Sequence, residues 1–177
     1  MNEIKSFLEL TDEEKWRVLS WRNHTEIRTR MFSSHEISLE EHLSFLNQLK
    51  KDTNSLYWMV GDKGVISLRR IDRKNGNAYL GIYKNPNCTE KTASKDLMRN
   101  LLTITFDQLN LHTLKLEVFS DNSKAVNFYN KCGFNQEGRL REFIKRDENT
   151  FADLILMLLR NPNINLTPKP LTREPNS

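Results

Sequence analysis

The chain has 177 residues, 37% of them hydrophobic and 28% charged, with a net charge of +4 and a pI near 9.1. That length suits one domain with one well-buried core, and no apolar run reaches the roughly 20 residues a membrane span requires. The opening Met1-Asn2-Glu3-Ile4-Lys5 lacks the apolar stretch of a signal peptide, and Cys88, Cys132 and four scattered histidines make no metal cluster. A cytoplasmic, metal-free protein with reduced thiols is therefore expected. Basic residues are interleaved with acidic ones and form no long stripe, so nucleic acid is not an expected partner. A mild positive field suits small ligands that carry phosphate.

The first elements are helices. Thr11-Asp12-Glu13-Glu14 is a capping box, and Trp16 and Leu19 follow on one face. Ser38-Leu39-Glu40-Glu41 repeats the device, with Leu39, Leu43, Leu46 and Leu49 at helical spacing and His42 on the polar side. Between the two helices runs an irregular stretch from Trp21 to His35. Three strands come next, Leu56–Val60, Val65–Ile71 and Ala78–Tyr83, joined by turns at Gly61–Gly64 and Asn75-Gly76. A helix from about Ala93 turns Leu97, Met98, Leu101, Leu102 and Phe106 inward. Leu114–Val118 alternates as a strand, and Ser123 starts a helix that ends at Gly133. A hairpin of Phe134–Ile144 with Phe151–Leu159 closes the domain at about residue 160. Residues 161–177 are polar and hold four of the five prolines, which reads as a tail. The order α-α-β-β-β-α-β-α-β-β predicts a three-layer α/β (α+β) domain.

Asn122-Ser123-Lys124-Ala125-Val126-Asn127-Phe128-Tyr129, running on to Gly133-Phe134, resembles the N-x-x-A-x-x-x-Y-x-x-x-G-F segment of the GNAT acetyltransferases. Trp21-Arg22-Asn23-His24, Arg28, Met31, Ile37 and Glu41-His42 resemble a narrower branch. That branch holds ribosomal-protein acetyltransferases and the nucleotide-sugar acetyltransferases of pseudaminic acid biosynthesis. Tyr79 to Pro86, Leu111 to Val118 and Gly138-Arg139-Leu140 are similar to the sugar enzymes as well. The resemblance implies the GNAT fold, a mixed and mostly antiparallel sheet of about seven strands flanked by helices. It also implies acetyl-CoA as co-substrate, a UDP-linked amino-dideoxy sugar as acceptor, and direct transfer in a ternary complex. A homodimer is an allowed assembly. A protein N-terminus as acceptor, or a silent acyl-CoA-binding domain, are the alternative readings.

By the same resemblance, Leu80, Gly81 and Ile82 lie on the splayed strand that holds the pantetheine and the acetyl carbonyl. A glycine in mid-strand also marks a bulge or a close backbone approach. The pyrophosphate loop falls at Lys91, Thr92, Ala93, Ser94 and Lys95, where the family's glycines are missing. Main-chain N–H groups at a helix start still suit phosphate there. Asn122, Ala125 and Tyr129 complete the cofactor side. Glu117, alternating on its strand, is the expected general base, and Tyr129 the acid that protonates the leaving thiolate. Arg22, Met31, His42 and Ser67 are expected at the acceptor, with Arg28 and Trp21 as further candidates. Cys88 and Cys132 are expected to be bystanders rather than nucleophiles.

Overall fold

The computed structural model describes residues 3–164. Its strands are β1 (Ile4–Ser6), β2 (Leu56–Val60), β3 (Gly64–Asp72), β4 (Asn77–Lys84), β5 (Thr113–Phe119), β6 (Asn135–Lys145) and β7 (Phe151–Arg160). They form one sheet in the order β1-β2-β3-β4-β5-β7-β6. Neighbours are antiparallel except β4 and β5, which run parallel. The strand that residue patterns alone left out is β1. At three residues, Ile4-Lys5-Ser6, it is too short to show a period.

Both capping boxes form. They start α1 (Asp12–Asn23) and α3 (Leu39–Leu49), with the one-turn α2 (Thr25–Arg28) between. Their apolar stripes differ from the expected ones. On α1, Val18, Leu19 and Trp21 are buried while Trp16 is 54% exposed. Trp16 lies roughly 200° around the helix from Val18 at 3.6 residues per turn, so the two face opposite ways. On α3 the buried stripe is His42, Leu46 and Leu49, and Leu43 is left 41% exposed. The stripe is turned so that His42, expected on the polar side, lies at its centre.

The helices divide over the two faces of the sheet. Alternation sends Ile66, Leu68, Leu80, Leu114 and Leu116 to one face, where α4 (Ala93–Leu102) buries Leu97, Met98 and Leu101 against them. A π-helical turn, Thr103–Gln108, continues α4 and buries Phe106, and α5 (Ser123–Lys131) packs on the same face through Ala125, Phe128 and Tyr129. The opposite face carries Tyr57, Met59, Val65 and Tyr83 under Val18, Trp21, Leu46 and Leu49 of α1 and α3. Asn161, where the tail was expected to start, is 3% exposed. Its main-chain N–H donates to His112 O at 2.8 Å and its side-chain amide to Leu111 O at 2.9 Å. Ordered structure thus passes residue 160; most of the expected tail lies outside the described residues. Among those described, no helix is long and apolar enough to cross a membrane, and no cluster is placed to hold a metal.

One feature of the sheet makes room for a site. β4 pairs with β5 only at Asn77–Thr113, Ala78–Leu114 and Tyr79–Lys115. Yet β4 stays on β3 as far as Lys84, and β5 stays on β7 as far as Phe119. Past Tyr79 and Lys115 the two central strands diverge and leave a wedge. Gly64 secures the far side of β4, because a Cβ there would sit 2.3 Å from the Tyr83 carbonyl oxygen and 2.9 Å from Lys84 Cα. Gly64→Ala is expected to lower unfolding free energy by about 3 kcal/mol through overpacking against backbone. Denaturant titration checks this, and an unchanged midpoint would show that β3 and β4 can part there freely.

Candidate active site

A single cleft runs through the wedge, lined on one side by β4, α4 and α5 and on the other by β5, α1 and the segment after α2. On the first side it brings together Leu80, Gly81, Ile82, Ser94, Asn122, Ala125 and Tyr129. Past Tyr79, the main-chain groups of β4 that turn away from β3 have lost β5 as a partner. Backbone polar groups in such a position call for a ligand or water. Gly81 stays in register with Ser67, so it marks no bulge. It is needed for room, because a Cβ would come 2.4 Å from Ser67 Oγ.

The helix start opposite is open to an anion. No side chain caps α4, whose N-cap residue Thr92 turns its hydroxyl to Asp96 at 3.1 Å. First-turn N–H groups and the helix dipole favour phosphate at such an end. Glu90 beside it is neutralised by Lys63, whose ammonium lies 2.8 Å from Glu90 and 2.6 Å from Asp96. Of the loop residues expected at the cofactor, Ser94 lines the cleft, whereas Lys91, Thr92 and Lys95 do not. Ala93 is fully buried and faces the core. Asn122 accepts a hydrogen bond from the Ala125 N–H and so caps α5.

Tyr129 is set by α5, with Phe128 and Phe134 against its ring. Burial pushes its phenol well above the usual value, so it stays protonated at neutral pH. Glu117 reaches the cleft from β5 on the other face of the sheet. Its side chain is 9% exposed and pairs with Arg70, Nη2 to Oε2 at 2.9 Å and Nη1 to Oε1 at 3.4 Å. Burial raises the Cys132 thiol, which leaves it a weak nucleophile. Neither Cys88 nor Cys132 lines the cleft.

The acceptor end is built by residues around Trp21. Trp21 itself is core, at 4% exposed. Asn23 clamps Ile37 through two hydrogen bonds of 2.8 Å, one to its carbonyl and one from its N–H. Arg22 donates to Ser33 O and Arg28 to Ser34 O, both at 3.0 Å. Arg28 is therefore used to hold this loop and does not line the cleft. Phe32, at the tip, meets Phe119 edge-on with centroids 5.5 Å apart, which brings the loop down over the end of β5. Met31 and Ser67 line the cleft as expected.

Three buried side-chain nitrogens have no hydrogen-bond partner among the described residues: Arg22 Nη1, His42 Nε2 and Arg69 Nε. All three residues line this cleft. Burial holds the His42 imidazole below its ordinary range, so it is neutral at pH 7, and also lowers the Arg22 guanidinium, which remains charged. Arg69, Tyr57 and Tyr83 also line the cleft and escaped the sequence reading. The available signal for Arg69 was strand alternation, which puts it on the face of Ser67.

Residues 5–155 match the acetyltransferase (GNAT) domain family. The chain is 35% identical over 138 residues to acetyltransferase PseH of Campylobacter jejuni, covering 76% of this chain and 85% of that protein. It is 30% identical over 125 residues to the spermidine N(1)-acetyltransferase of Vibrio cholerae, 68% of this chain and 72% of that one. Among solved structures, the Vibrio cholerae spermidine N-acetyltransferase in complex with CoA and spermine superposes with a TM-score of 0.80 at 25% identity, over 90% and 95% of the two chains. Campylobacter jejuni PseH in complex with acetyl coenzyme A gives 0.67 at 27% identity, over 90% and 99%. The splayed strands and the open start of α4 suit the thioester arm and phosphates of such a ligand. The chain belongs to the GNAT acetyltransferases, with acetyl-CoA as its acyl donor.

Proposed function

We propose that the chain acetylates the 4-amino group of a UDP-linked 4-amino-4,6-dideoxy sugar, UDP-4-amino-4,6-dideoxy-N-acetyl-β-L-altrosamine. This is a reaction of pseudaminic acid biosynthesis, the pathway that supplies flagellin glycosylation. The observation that carries the reading is the set of unpartnered nitrogens of Arg22, His42 and Arg69 around one cleft. A buried polar nitrogen without a partner costs about 1–3 kcal/mol, so three of them in one place point to a ligand that satisfies them. A pyrophosphate takes arginine N–H groups, and a neutral imidazole can donate to or accept from a uracil edge.

The likeness in overall shape to a spermidine acetyltransferase favours a polyamine acceptor instead. Charge opposes it. Arg22, Arg30, Arg69, Lys84 and Lys124 line the cleft against Glu26 and Glu117 alone. Glu117 is itself held by Arg70. A polycation would enter a positive field there, and an anionic nucleotide is drawn in.

Acetyl-CoA supplies the activated acetyl group; the residues of the chain do the rest. Arg22, Met31, His42, Ser67 and Arg69 seat the acceptor so that its amine approaches from the face of the sheet under α1 and α3. Glu117 removes the amine proton, directly or through a water. Across Leu80, Gly81 and Ile82, the main-chain groups of β4 that turn away from β3 orient the thioester and stabilise its carbonyl oxygen as charge develops. Ser94 and the start of α4, with Asn122 and Ala125 at the start of α5, flank the phosphate end of the donor. Tyr129, on the opposite side from Glu117, offers its proton to the departing sulfur. Burial keeps that phenol protonated at neutral pH, so the proton is in place when the sulfur departs.

Release of free CoA thiol tests the acceptor. It should depend on the UDP-linked 4-amino sugar and be negligible with spermidine, and the reverse pattern would hand the site to the polyamine reading. Arg22→Ala is expected to raise KM for the nucleotide sugar roughly 10- to 100-fold, the loss of a charged hydrogen bond of about 1.5–3 kcal/mol. An unchanged KM would remove Arg22 from the phosphates. Glu117→Gln should lower kcat at neutral pH by about 100-fold or more and leave acetyl-CoA affinity intact. Full turnover in that variant would mean another group takes the proton.

A further inference from the structure

Arg70 is the non-glycine residue of β3 whose backbone is left-handed, at φ 49°. A side chain with a Cβ occupies that region only under strain, and glycine would take it freely. The β3–β4 register shifts between Arg69 and Asp72, so Arg70 sits on a bulge. Simple alternation would send Arg69 and Arg70 to opposite faces. Instead the Arg70 guanidinium crosses the Tyr79 ring, 4.3 Å from its centroid, and reaches Glu117 on β5 with both terminal nitrogens. Its own side chain is 57% exposed, whereas that of Glu117 is 9% exposed. Solvent could have satisfied Arg70, so its own burial does not dictate the pairing. Backbone strain of this kind is kept where a side chain must be re-aimed.

From this geometry we infer that Arg70 is the positioning residue for proton transfer at Glu117. It grips the carboxylate with a two-pronged guanidinium, stacked and steadied on Tyr79, and fixes the side chain in the one orientation that meets the amine. The remaining lone pairs of the carboxylate are left for that proton. A lysine would supply the charge without the fork. The inference rests on Glu117 being the proton acceptor, as proposed above.

Kinetics of Arg70→Gln, Arg70→Lys, Glu117→Gln and the Arg70→Gln/Glu117→Gln pair test it, with KM for acetyl-CoA and for the acceptor measured alongside kcat. Arg70→Gln should lower kcat about 100-fold, the scale of a misplaced catalytic group, and leave KM for acetyl-CoA unchanged. Arg70→Lys should recover part of that loss. The pair should be no slower than Glu117→Gln alone, because Arg70 acts only through Glu117. Arg70→Gly, which suits the left-handed backbone, repeats the test if the glutamine variant folds poorly. Wild-type kcat in Arg70→Gln, or losses that multiply in the pair, would overturn the inference. If Glu117→Gln keeps full turnover, the base assignment itself has failed; if it loses turnover while Arg70→Gln does not, only the role of Arg70 falls.

Discussion

The three-residue parallel contact between β4 and β5 is the constraint on which the rest of the structure depends. Asn77, Ala78 and Tyr79 hold the two halves of the sheet together, and everything beyond them must part. Each half is then kept rigid from its outer side, β4 by β3 and β5 by β7. A wedge between two rigid half-sheets can present unpaired main-chain groups without collapsing on them. It also gives each half its own task. In the proposed reaction, β4 with α4 and α5 forms the donor side, and β5 with α1 and its following loop forms the side open to the acceptor. Glu117 and Tyr129 end up on opposite faces of the sheet because one alternates on β5 and the other descends from α5.

The start of α4 is open to an anion although the loop before it carries no glycine. Glycine there serves close approach, but the donors are main-chain N–H groups, which any residue has. What a substituted loop can spoil is the charge, and Glu90 and Asp96 place two carboxylates beside the helix end. Lys63, from the β2–β3 turn, meets both. The same turn is tied to the loop by Asn85, whose N–H donates to Lys63 O at 2.8 Å and whose amide donates to Asp62 O at 2.7 Å. The charge balance and the loop's placement therefore come from one tether.

Much of this was legible in the sequence, and the failures have physical causes. Capping boxes at Thr11 and Ser38 are local devices and read true. The pattern from Asn122 to Phe134 located α5, and alternation from Leu114 to Val118 put Glu117 on the face opposite Leu114 and Leu116. Helix faces were less secure. Leu43 and Trp16 are apolar yet exposed, while His42 is polar yet central to its stripe, so a count of apolar spacing rotated each helix away from its true face. His42 faces inward because the cleft lies beneath it, a fact that belongs to the assembled fold. Arg70 was invisible for a related reason. A bulge cancels the alternation on which strand reading relies, and nothing in Leu68-Arg69-Arg70-Ile71 announces one.

The likeness to two differently named acetyltransferases sharpens how shape and chemistry divide. The spermidine enzyme superposes more closely, with a TM-score of 0.80 against 0.67, while the sequence is nearer to PseH, at 35% against 30% identity. Superposition weighs every backbone atom alike, and most of those atoms belong to the sheet and helices that any member of the family needs. A fold of this kind hosts many acceptors. What separates a polycation from a nucleotide is the sign of the field in one cleft, set by a few side chains that hardly move the backbone. Arg22 illustrates this best: one terminal nitrogen holds Ser33 and shapes the loop, and the other is buried without a partner. A residue spent wholly on the scaffold would leave no such nitrogen behind, so the acceptor's chemistry is to be read there and not in the superposition.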